Sequence, residues 1–260
     1  MRFASLGSGS EGNGLLVAAR DGHRERVLLI DCGFGPRRAR ERLSGLGVDA
    51  NDLAAILVTH EHADHIAGVF KLALAHRLPV YLSHGTLHAA RVPDEARELL
   101  RLITADDRFE VDGMQVHAVP VPHDAREPVQ YVVDDGRNRL GVLTDLGHGS
   151  PYVERAFASL DALVLECNHD PGLLAANPRY PPMLKRRIGG PFGHLANAAA
   201  ADLLARLEPR RLKRLVAAHL SAHNNRPELA RAALACVLGC GEREIEVADQ
   251  ADGLNWRVLA

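Results

Sequence analysis

Three histidines and one aspartate fall within six residues of the chain, in the pattern His60-x-His62-x-Asp64-His65. On an extended segment His60 and His62 point to the same side, because side chains two positions apart share a face. Asp64 and His65 follow where a helix is predicted to begin, and a carboxylate there also suits the helix dipole. Imidazole and carboxylate ligands suit zinc, manganese and iron. The spacing therefore predicts a metal site, with a solvated loop as the alternative.

The cluster follows a predicted strand, one of many short segments rich in valine, leucine and isoleucine. Because several of these segments show little alternation of polar and apolar residues, we expect strands buried between helical layers. The predicted strands cover residues 2–6, 15–19, 27–31, 54–59, 80–83, 115–121, 129–133, 140–144, 162–166, 215–218, 244–247 and 255–259. The predicted helices cover residues 36–45, 66–76, 94–101, 151–159, 197–207 and 227–238. Two packed sheets with helices outside would satisfy this order of elements.

Composition excludes several classes of protein. The 260 residues are 47% hydrophobic, which is enough for one sizeable core, and we expect a single domain over residues 1–260. A formal net charge of -2 gives no global basic field. The sequence shows neither a signal peptide nor a membrane-spanning run, and its four cysteines form no CxxC pair. We therefore expect a cytoplasmic protein with no membrane association and no obligate protein partner.

The segment Thr59-His-Glu-His-Ala-Asp-His65 resembles the HxHxDH signature of the metallo-β-lactamase superfamily. The resemblance implies an α+β fold, a four-layer αββα sandwich, and usually a site with two metals. Asp31, in Leu-Leu-Ile-Asp-Cys-Gly, resembles the aspartate that orients the ligands. Further along the chain His123, Asp145 and His219 resemble the remaining ligands, and each follows a predicted apolar strand.

The resemblance implies a ligand set for two divalent ions, zinc first and manganese as an option. The first metal would be held by His60, His62, His123 and Asp145, and the second by Asp64, His65, Asp145 and His219. Two such metals lower the pKa of a shared water, polarise the electrophile and stabilise the leaving oxygen. A metal-bridged hydroxide could attack a phosphodiester, thioester, lactone or lactam, and the ligands alone do not choose among them.

A glycine-rich turn follows the first predicted strand, in residues 5–13. Its backbone N–H groups, with Ser8, Ser10 and Asn13, could face an anionic substrate. Taken alone, such a turn is more often a simple hairpin.

Four later segments indicate which group within the superfamily the chain resembles. They are residues 166–170, 180–188, 193–197 and 219–225. With the glycine-rich turn, they resemble the YycJ/WalJ-type group of metallo-β-lactamase-fold nucleases, which are DNA exonucleases. A more distant resemblance is to the transfer-RNA 3′-processing endonucleases. DNA is therefore the expected partner, as the substrate.

The nuclease resemblance also implies roles for individual residues. His194 would lie near the scissile phosphate and protonate the leaving oxygen, and Glu166 would orient that histidine. Asp64, one of the metal ligands, completes the predicted catalytic set.

Substrate contacts are predicted at three further positions. His169 could contact a phosphate, with a structural hydrogen bond as the alternative. Lys185, at the start of a basic run with Arg186 and Arg187, could bind the nucleic-acid backbone, and a solvated helix face is the alternative. Asn224 could hold the loop after the last ligand histidine.

The sequence departs from the nuclease group at a few positions. Glu11 stands where related sequences favour a small residue, and Ala196 and Cys167 stand where serine is common. These differences leave the exact substrate open. The stretch between Asp145 and His219 is too short for the inserted cap domain of the β-CASP nucleases, which excludes that subgroup.

The resulting expectation is a dinuclear metal-dependent phosphodiesterase, an exonuclease-like hydrolase that acts on DNA. One alternative is a small-molecule hydrolase of the same fold, acting on a cyclic phosphodiester or a glyoxalase-type thioester. The low aromatic content, 4%, favours it slightly because stacking platforms for single strands are scarce. An alternative of another class is a non-catalytic metal-binding regulatory protein, but such a protein needs no acid like His194.

Overall fold

The apolar segments form two seven-stranded sheets in the computed structural model, which describes residues 1–21 and 24–259. The first sheet contains, in spatial order, β14 (Leu254–Val258), β1 (Arg2–Gly7), β2 (Gly14–Asp21), β3 (Arg24–Ile30), β4 (Leu53–Leu57), β5 (Val80–Ser83) and β6 (Leu100–Ile103). The second contains β13 (Glu246–Val247), β12 (Arg214–Ala218), β11 (Ala162–Glu166), β10 (Arg139–Leu143), β9 (Val129–Asp134), β8 (Met114–Pro120) and β7 (Arg108–Val111). In each sheet one half is antiparallel and the other parallel.

Helices pack against the outer face of each sheet or lie at the edge where strands end. They are α1 (Pro36–Gly45), α2 (Ala63–Ile66), α3 (Val69–His76), α4 (His84–Ala89), α5 (Pro151–Ala156), α6 (Pro171–Ala176), α7 (Pro182–Ile188), α8 (Asn197–Arg206) and α9 (Pro227–Leu238). Short 3₁₀ turns lie at Ala50–Asp52, Asp94–Leu99, Pro209–Arg211 and Glu242–Glu244. Several helices begin with proline, whose missing N–H has no partner in a first turn anyway. None of the described helices combines the length and apolar character needed to cross a membrane.

Three apolar clusters hold the layers together. One lies between the sheets and includes Phe3 and Tyr131, whose hydroxyl donates to Val58 O over 2.7 Å. A second packs the first sheet against α1 and α3, and a third packs the second sheet against α5, α8 and α9. The order helix–sheet–sheet–helix confirms the predicted α+β four-layer αββα sandwich.

Strand direction brings several chain segments to one edge of the sandwich. In the first sheet β3 and β4 are parallel neighbours, and in the second β10, β11 and β12 are parallel neighbours. Strand β8 is antiparallel to β9, which is antiparallel to β10, so β8 and β10 run the same way. The loops after the carboxyl ends of these strands are where α/β folds place ligands.

Some elements differ from those the sequence predicts. The predicted helix over residues 66–76 is interrupted between α2 and α3, where Gly68 N donates to Cys32 O over 2.8 Å and a Cβ at Gly68 would lie 1.9 Å from Phe34 O. The predicted helix over residues 94–101 is a 3₁₀ turn followed by β6, because parallel pairing with β5 overrides local helix propensity. Strand β7 and helices α4, α6 and α7 had no predicted counterpart.

Candidate metal centre

The ligand loop, residues 60–65, joins strand β4 to helix α2. His60 is fully buried, His62 is the N-cap residue of α2, and Asp64 and His65 lie in its first turn. The rings of His60 and His62 are 4.5 Å apart between centroids, and those of His60 and His65 are 4.2 Å apart. A side chain at Gly33 would collide with this loop, since its Cβ would lie 1.8 Å from Asp64 O. The loop therefore directs its imidazoles into one small volume.

The second sheet closes that volume from the other side. Asp145 lies two residues after the end of β10, between ligands from both sheets. Its Oδ2 lies 3.0 Å from His65 Nε2, and its Oδ1 lies 3.5 Å from His219 Nε2 and 3.9 Å from His123 Nε2. His219 Nε2 is also 3.5 Å from Asp64 Oδ2. A carboxylate in this position can bind a cation on either side.

All seven predicted metal ligands take part in compact groups of donor atoms. In each group the donor atoms lie within 4.8 Å of one another. The groups are His60, His62 and His123; His60, His65 and Asp145; Asp64, His65 and His219; and Asp145, Glu166, His194 and His219. The structure thus brings the ligand loop together with the three dispersed ligands.

The donor set fits a bound cation on the evidence of its hydrogen bonding. Among the described residues, His60 Nε2, His219 Nε2 and Asp145 Oδ2 are buried atoms without a hydrogen-bond partner. A buried polar atom without a partner costs about 1–3 kcal/mol. His65 Nε2 faces the Asp145 carboxylate over 3.0 Å and lies 3.1 Å from Asn13 Nδ2, while its Nδ1 is already engaged by the Asp31 carboxylate. Divalent cations between these atoms would satisfy all of them.

In two of the ligand histidines, His65 and His123, a hydrogen bond fixes the Nδ1 atom. His65 Nδ1 donates to Asp31 Oδ2 over 2.8 Å, and that carboxylate also accepts from Thr59 N over 2.8 Å and Thr59 Oγ1 over 2.7 Å. His123 Nδ1 donates to Gly193 O over 3.0 Å. Such bonds set the tautomer and leave Nε2 as the metal-binding atom. Asp31 therefore occupies the orienting position that the sequence predicts for it.

Burial and neighbouring charges set the protonation of the imidazoles. Burial is the main reason that the pKa of His60 lies well below its usual value, and burial also lowers the pKa of His123. Both rings are therefore neutral near pH 7, the state that binds metal. Burial lowers the pKa of His219 too, but the Asp145 carboxylate outweighs it and raises that pKa to about 10. A metal bound at His219 Nε2 would therefore displace a proton from it.

The carboxyl groups of the centre are ionised. Burial alone would raise the pKa of Asp64, but hydrogen bonds from His219 and His65 bring it below its usual range. Burial acts in the same direction on Asp145, and the charges of His219 and His65 bring its pKa well below the usual value. Both side chains are therefore available as anionic ligands.

Three residues of the centre have left-handed backbone conformations. Asp31, Asp145 and His219 have φ angles of 59°, 53° and 54°, and each lies at the carboxyl end of a strand. Residues other than glycine rarely adopt this region, since the Cβ makes it unfavourable. The reversal turns each side chain away from the sheet and into the centre.

A cleft of about 340 Å³ opens onto the metal centre. On one side it is lined by Ser10, His62 and Asp64, and on the other by α7 and His194. The cleft gives a ligand access to the donor atoms without opening the buried core.

His194 and Glu166 form a hydrogen-bonded pair at the cleft. His194 Nδ1 donates to Glu166 Oε1 over 2.8 Å and lies 3.4 Å from Asp145 Oδ1. Burial lowers the pKa of His194, but the Glu166 carboxylate raises it above the usual value. Burial raises the pKa of Glu166, but the charge of His194 lowers it to about 2. The pair leaves Nε2 as the nitrogen that can contact a ligand.

Of the three substrate contacts predicted in the glycine-rich turn, one lines the cleft and two bond within the fold. Ser10 lines the cleft. Ser8 Oγ instead accepts from His219 N over 2.8 Å, and Asn13 Oδ1 accepts from Gly9 N over 2.9 Å. Asn13 N also donates to Asp64 O over 2.8 Å. Ser8 and Asn13 therefore hold the ligands in place within the fold.

The other predicted contacts do not line the cleft. His169 is buried and forms a backbone bridge with Ala196. Asn224 is buried, and its Oδ1 accepts from Asn177 Nδ2 over 2.6 Å. Lys185 donates from Nζ to Ala175 O. None of the three is among the described residues that surround the cleft.

Two charged residues that line the cleft are not among the site residues predicted from the sequence. Asp124, next to His123, and Arg187, named only as part of a basic run, both line it. The position of Arg187 could have been found from helical spacing. Arg187 and Ile188 lie three and four positions after Leu184 on α7, and all three line the cleft. Asp124 has its pKa raised by burial, but the hydrogen bond from Arg187 brings it below the usual value.

A buried asparagine pair lies behind the cleft. Asn197 and Asn225 exchange side-chain hydrogen bonds of 2.8 and 2.9 Å, and Asn225 Nδ2 also donates to Cys167 O over 2.7 Å. Asn168 Nδ2 donates to His219 O over 3.0 Å. These amides tie the loop after β12 to the loop after β11.

Comparisons with known proteins agree with this fold. A model of the β-lactamase superfamily domain matches residues 26–219. The chain is 35% identical over 246 residues to exodeoxyribonuclease YycJ of Bacillus anthracis, covering 92% of this chain and 89% of that protein. It is 28% identical to exodeoxyribonuclease WalJ of Streptococcus pneumoniae, covering 99% and 93%. The structure of the metallo-β-lactamase fold protein YhfI from Bacillus subtilis is similar, with a TM-score of 0.73, 18% identity and 99% of each chain covered.

Proposed function

Because this chain belongs to the β-lactamase superfamily, we propose that it is a dinuclear metal-dependent phosphodiesterase that degrades DNA from an end. Its relatives YycJ and WalJ bear the name exodeoxyribonuclease, and the resemblance extends over most of the chain. Zinc is the proposed metal, with manganese as the second choice, because imidazole and carboxylate ligands suit both.

One observation carries the proposal: the His194–Glu166 pair at the mouth of the metal centre. Glu166 holds Nδ1 of the imidazole over 2.8 Å. His194 Nε2 can then give a proton to the leaving oxygen of a substrate in the cleft. A protein that only stores or senses a metal needs no such pair, which argues against the non-catalytic alternative.

The metals, when bound, supply a nucleophile at neutral pH and neutralise charge on the phosphate. His60, His62, His123 and Asp145 would hold one, and Asp64, His65, Asp145 and His219 the other. Asp145 belongs to both sets because its two oxygens face ligands of both sheets. Asp31 keeps His65 in the tautomer that this binding requires.

Two further proposals concern the domain organisation of the chain and its cellular location. Since both sheets contribute ligands, we propose that residues 1–260 work as one domain, without an obligate protein partner. All four cysteines are unpaired in the structure, as suits a reducing compartment such as the cytoplasm.

The experiment compares three substrates with the same metal-loaded protein. Metal content is measured by mass spectrometry, and bis-p-nitrophenyl phosphate, single-stranded DNA and S-lactoylglutathione are offered in turn. We expect turnover of both phosphodiesters, and a loss in kcat on DNA of roughly 10²–10⁴-fold in His194→Gln with metal content unchanged. The loss on bis-p-nitrophenyl phosphate should be smaller, because p-nitrophenolate leaves without a proton. His148→Gln is the matched control, because His148 bonds to Pro191 O near the same loop but does not line the cleft.

Other outcomes would point elsewhere. Turnover of the thioester alone would contradict the proposal and favour the small-molecule hydrolase. That second candidate has support from the cleft itself, where the charged side chains include three acids, Asp64, Asp124 and Asp145. Bound metal with no turnover of any substrate would favour the metal-binding regulatory protein.

A further inference from the structure

An ion pair stands at the rim of the cleft, between helix α7 and the metal centre. Arg187 donates from Nε to Asp124 Oδ2. The other oxygen of Asp124 lies 3.4 Å from His123 Nε2 and 3.8 Å from His62 Nε2. The Asp124 carboxylate therefore lies between the Arg187 guanidinium and two histidines of the proposed first metal site.

The Arg187 guanidinium has donors left for a ligand. It carries five N–H groups in a planar fork. Among the described residues its hydrogen-bonding partner is Asp124, which engages Nε, and the side chain is 62% exposed. Because Leu184 and Ile188 line the cleft on either side of it, the remaining donors are within reach of a molecule that occupies the cleft.

The neighbouring basic residues of α7 do not share this position. Lys185 is bound to a backbone carbonyl, and Arg186 is exposed without lining the cleft. The three cations are adjacent in sequence, but helical phase separates them by about 100° each. Only Arg187 of this run borders the cleft in the part of the chain that the structure describes.

We propose that Arg187 binds the phosphate next to the scissile phosphate of the DNA strand, and that Asp124 holds the guanidinium in position. This inference rests on the proposed function. In the proposed function the scissile phosphate binds at the two metals. Asp124 lies between Arg187 and the metal-binding histidines, so Arg187 is too far from the metals for that phosphate and suits its neighbour. The guanidinium fork matches phosphate oxygens and is weakly hydrated, so it suits a partly exposed contact of this kind.

The proposal sets a requirement on the substrate. A molecule with one phosphodiester fills the metal site but leaves Arg187 without a partner. A strand with a second phosphate engages both. Arg187 therefore selects polynucleotides over isolated phosphodiesters.

The test compares Arg187→Ala with Arg186→Ala, which removes the same charge from the same helix outside the cleft. Binding of a short labelled single-stranded oligodeoxynucleotide is measured by fluorescence anisotropy in a His194→Gln background, and KM is measured with His194 intact. We expect Arg187→Ala to weaken binding and raise KM about tenfold or more, as for a lost charge-assisted hydrogen bond. Arg186→Ala should change both by less than about twofold, and Arg187→Lys should lie between.

Two further measurements separate this role from others. The KM for bis-p-nitrophenyl phosphate should not change in Arg187→Ala, because that substrate has no second phosphate. The slope of log affinity against log salt should fall by about 0.7. An equal rise in KM for both substrates would overturn the proposal, since Arg187 would then contact the scissile phosphate.

The variant Asp124→Asn tests whether Arg187 merely neutralises a carboxylate. If Arg187 binds phosphate, Arg187→Ala still weakens DNA binding in the Asp124→Asn background. If the effect disappears there while Asp124→Asn alone binds DNA at least as tightly as wild type, with metal content unchanged, the proposal is wrong.

Failure of this inference and failure of the proposed function look different. Binding through Arg187 without cleavage would overturn the nuclease function and support the phosphate contact. Cleavage with equal KM in the two arginine variants would overturn the contact alone. Absence of DNA binding by the metal-loaded protein would overturn both.

Discussion

The two sheets contribute to the metal centre in different ways. The first sheet supplies four of the proposed ligands from the ligand loop, residues 60–65, at a single strand–helix junction. The second supplies His123, Asp145 and His219 from the ends of three separate strands. The first group is contiguous in sequence, so one strand–helix junction places its side chains, and Asp31 and Asn13 hold it from outside the loop. The second exists only when three strands and their loops have reached their final positions.

The hydrogen bonds of the two groups reflect this difference. Within the first sheet, Asp31 fixes both Thr59 and His65 across the parallel pair β3–β4. His219 and His123 depend on segments still more distant in sequence, since Ser8 Oγ accepts from His219 N and Gly193 O accepts from His123 Nδ1. We infer that defects in tertiary packing will damage the second group first.

The largest effect is expected where the two groups meet. Asp145→Ala removes the carboxylate that faces ligands of both, so activity should fall to background and bound metal from about two to at most about one per chain. Metal is measured by mass spectrometry after gel filtration. Asp94→Ala, an exposed surface change, is the control and should leave both values intact. Two retained metals would show that the regions bind metal independently.

An intermediate effect is expected from Asp31→Asn, which acts on the first group alone. The amide weakens the acceptor that orients His65, and losses at such positions reduce metal affinity or activity about 10–100-fold. Affinity is measured by competition with a chromophoric chelator. Asp161→Asn is the matched control, because Asp161 is also a buried acid that accepts backbone N–H groups, but far from the centre. Equal affinities in wild type and Asp31→Asn would remove Asp31 from the metal site.

The smallest effect on chemistry is expected from Asn225→Ala, which acts behind the second group. It leaves Asn197 and Cys167 O without their partner, at a cost of about 1–3 kcal/mol in the free energy of unfolding. Urea denaturation of chelated protein measures that loss. Asn51→Ala, at an exposed position, should leave stability within about 0.5 kcal/mol. If Asn225→Ala unfolds at the wild-type urea concentration, the amide pair does not support the second group.

The same contrast explains what the sequence could predict. The ligand loop is recognisable by itself because all its chemistry is contiguous. His123, Asp145 and His219 required family resemblance and their order along the chain, since one histidine or aspartate at a strand end has no distinctive pattern.

Finer contacts escape prediction for physical reasons. Ser8 and Asn13 present the same hydroxyl and amide whether they face a substrate or the backbone, and only the packed structure shows that they bond within the fold. For Lys185 and Arg187, the choice depends on the phase of α7, an element that the sequence did not predict. Similarly, residues 100–103 become β6 only through pairing with β5.

The left-handed conformations of Asp31, Asp145 and His219 have a consequence for the evolution of this chain. Each is a strained position, at roughly 1–3 kcal/mol. Glycine would relieve that strain and at the same time delete a functional side chain. Selection for heat resistance in a chelating medium should therefore favour glycine in place of Asp145 and His219 and yield robust, inactive descendants, whereas Asp31 should persist because its carboxylate accepts three buried hydrogen bonds. Metal ions bound at the proposed centre would reverse that preference, so metal supply would help to preserve the sequence of the site.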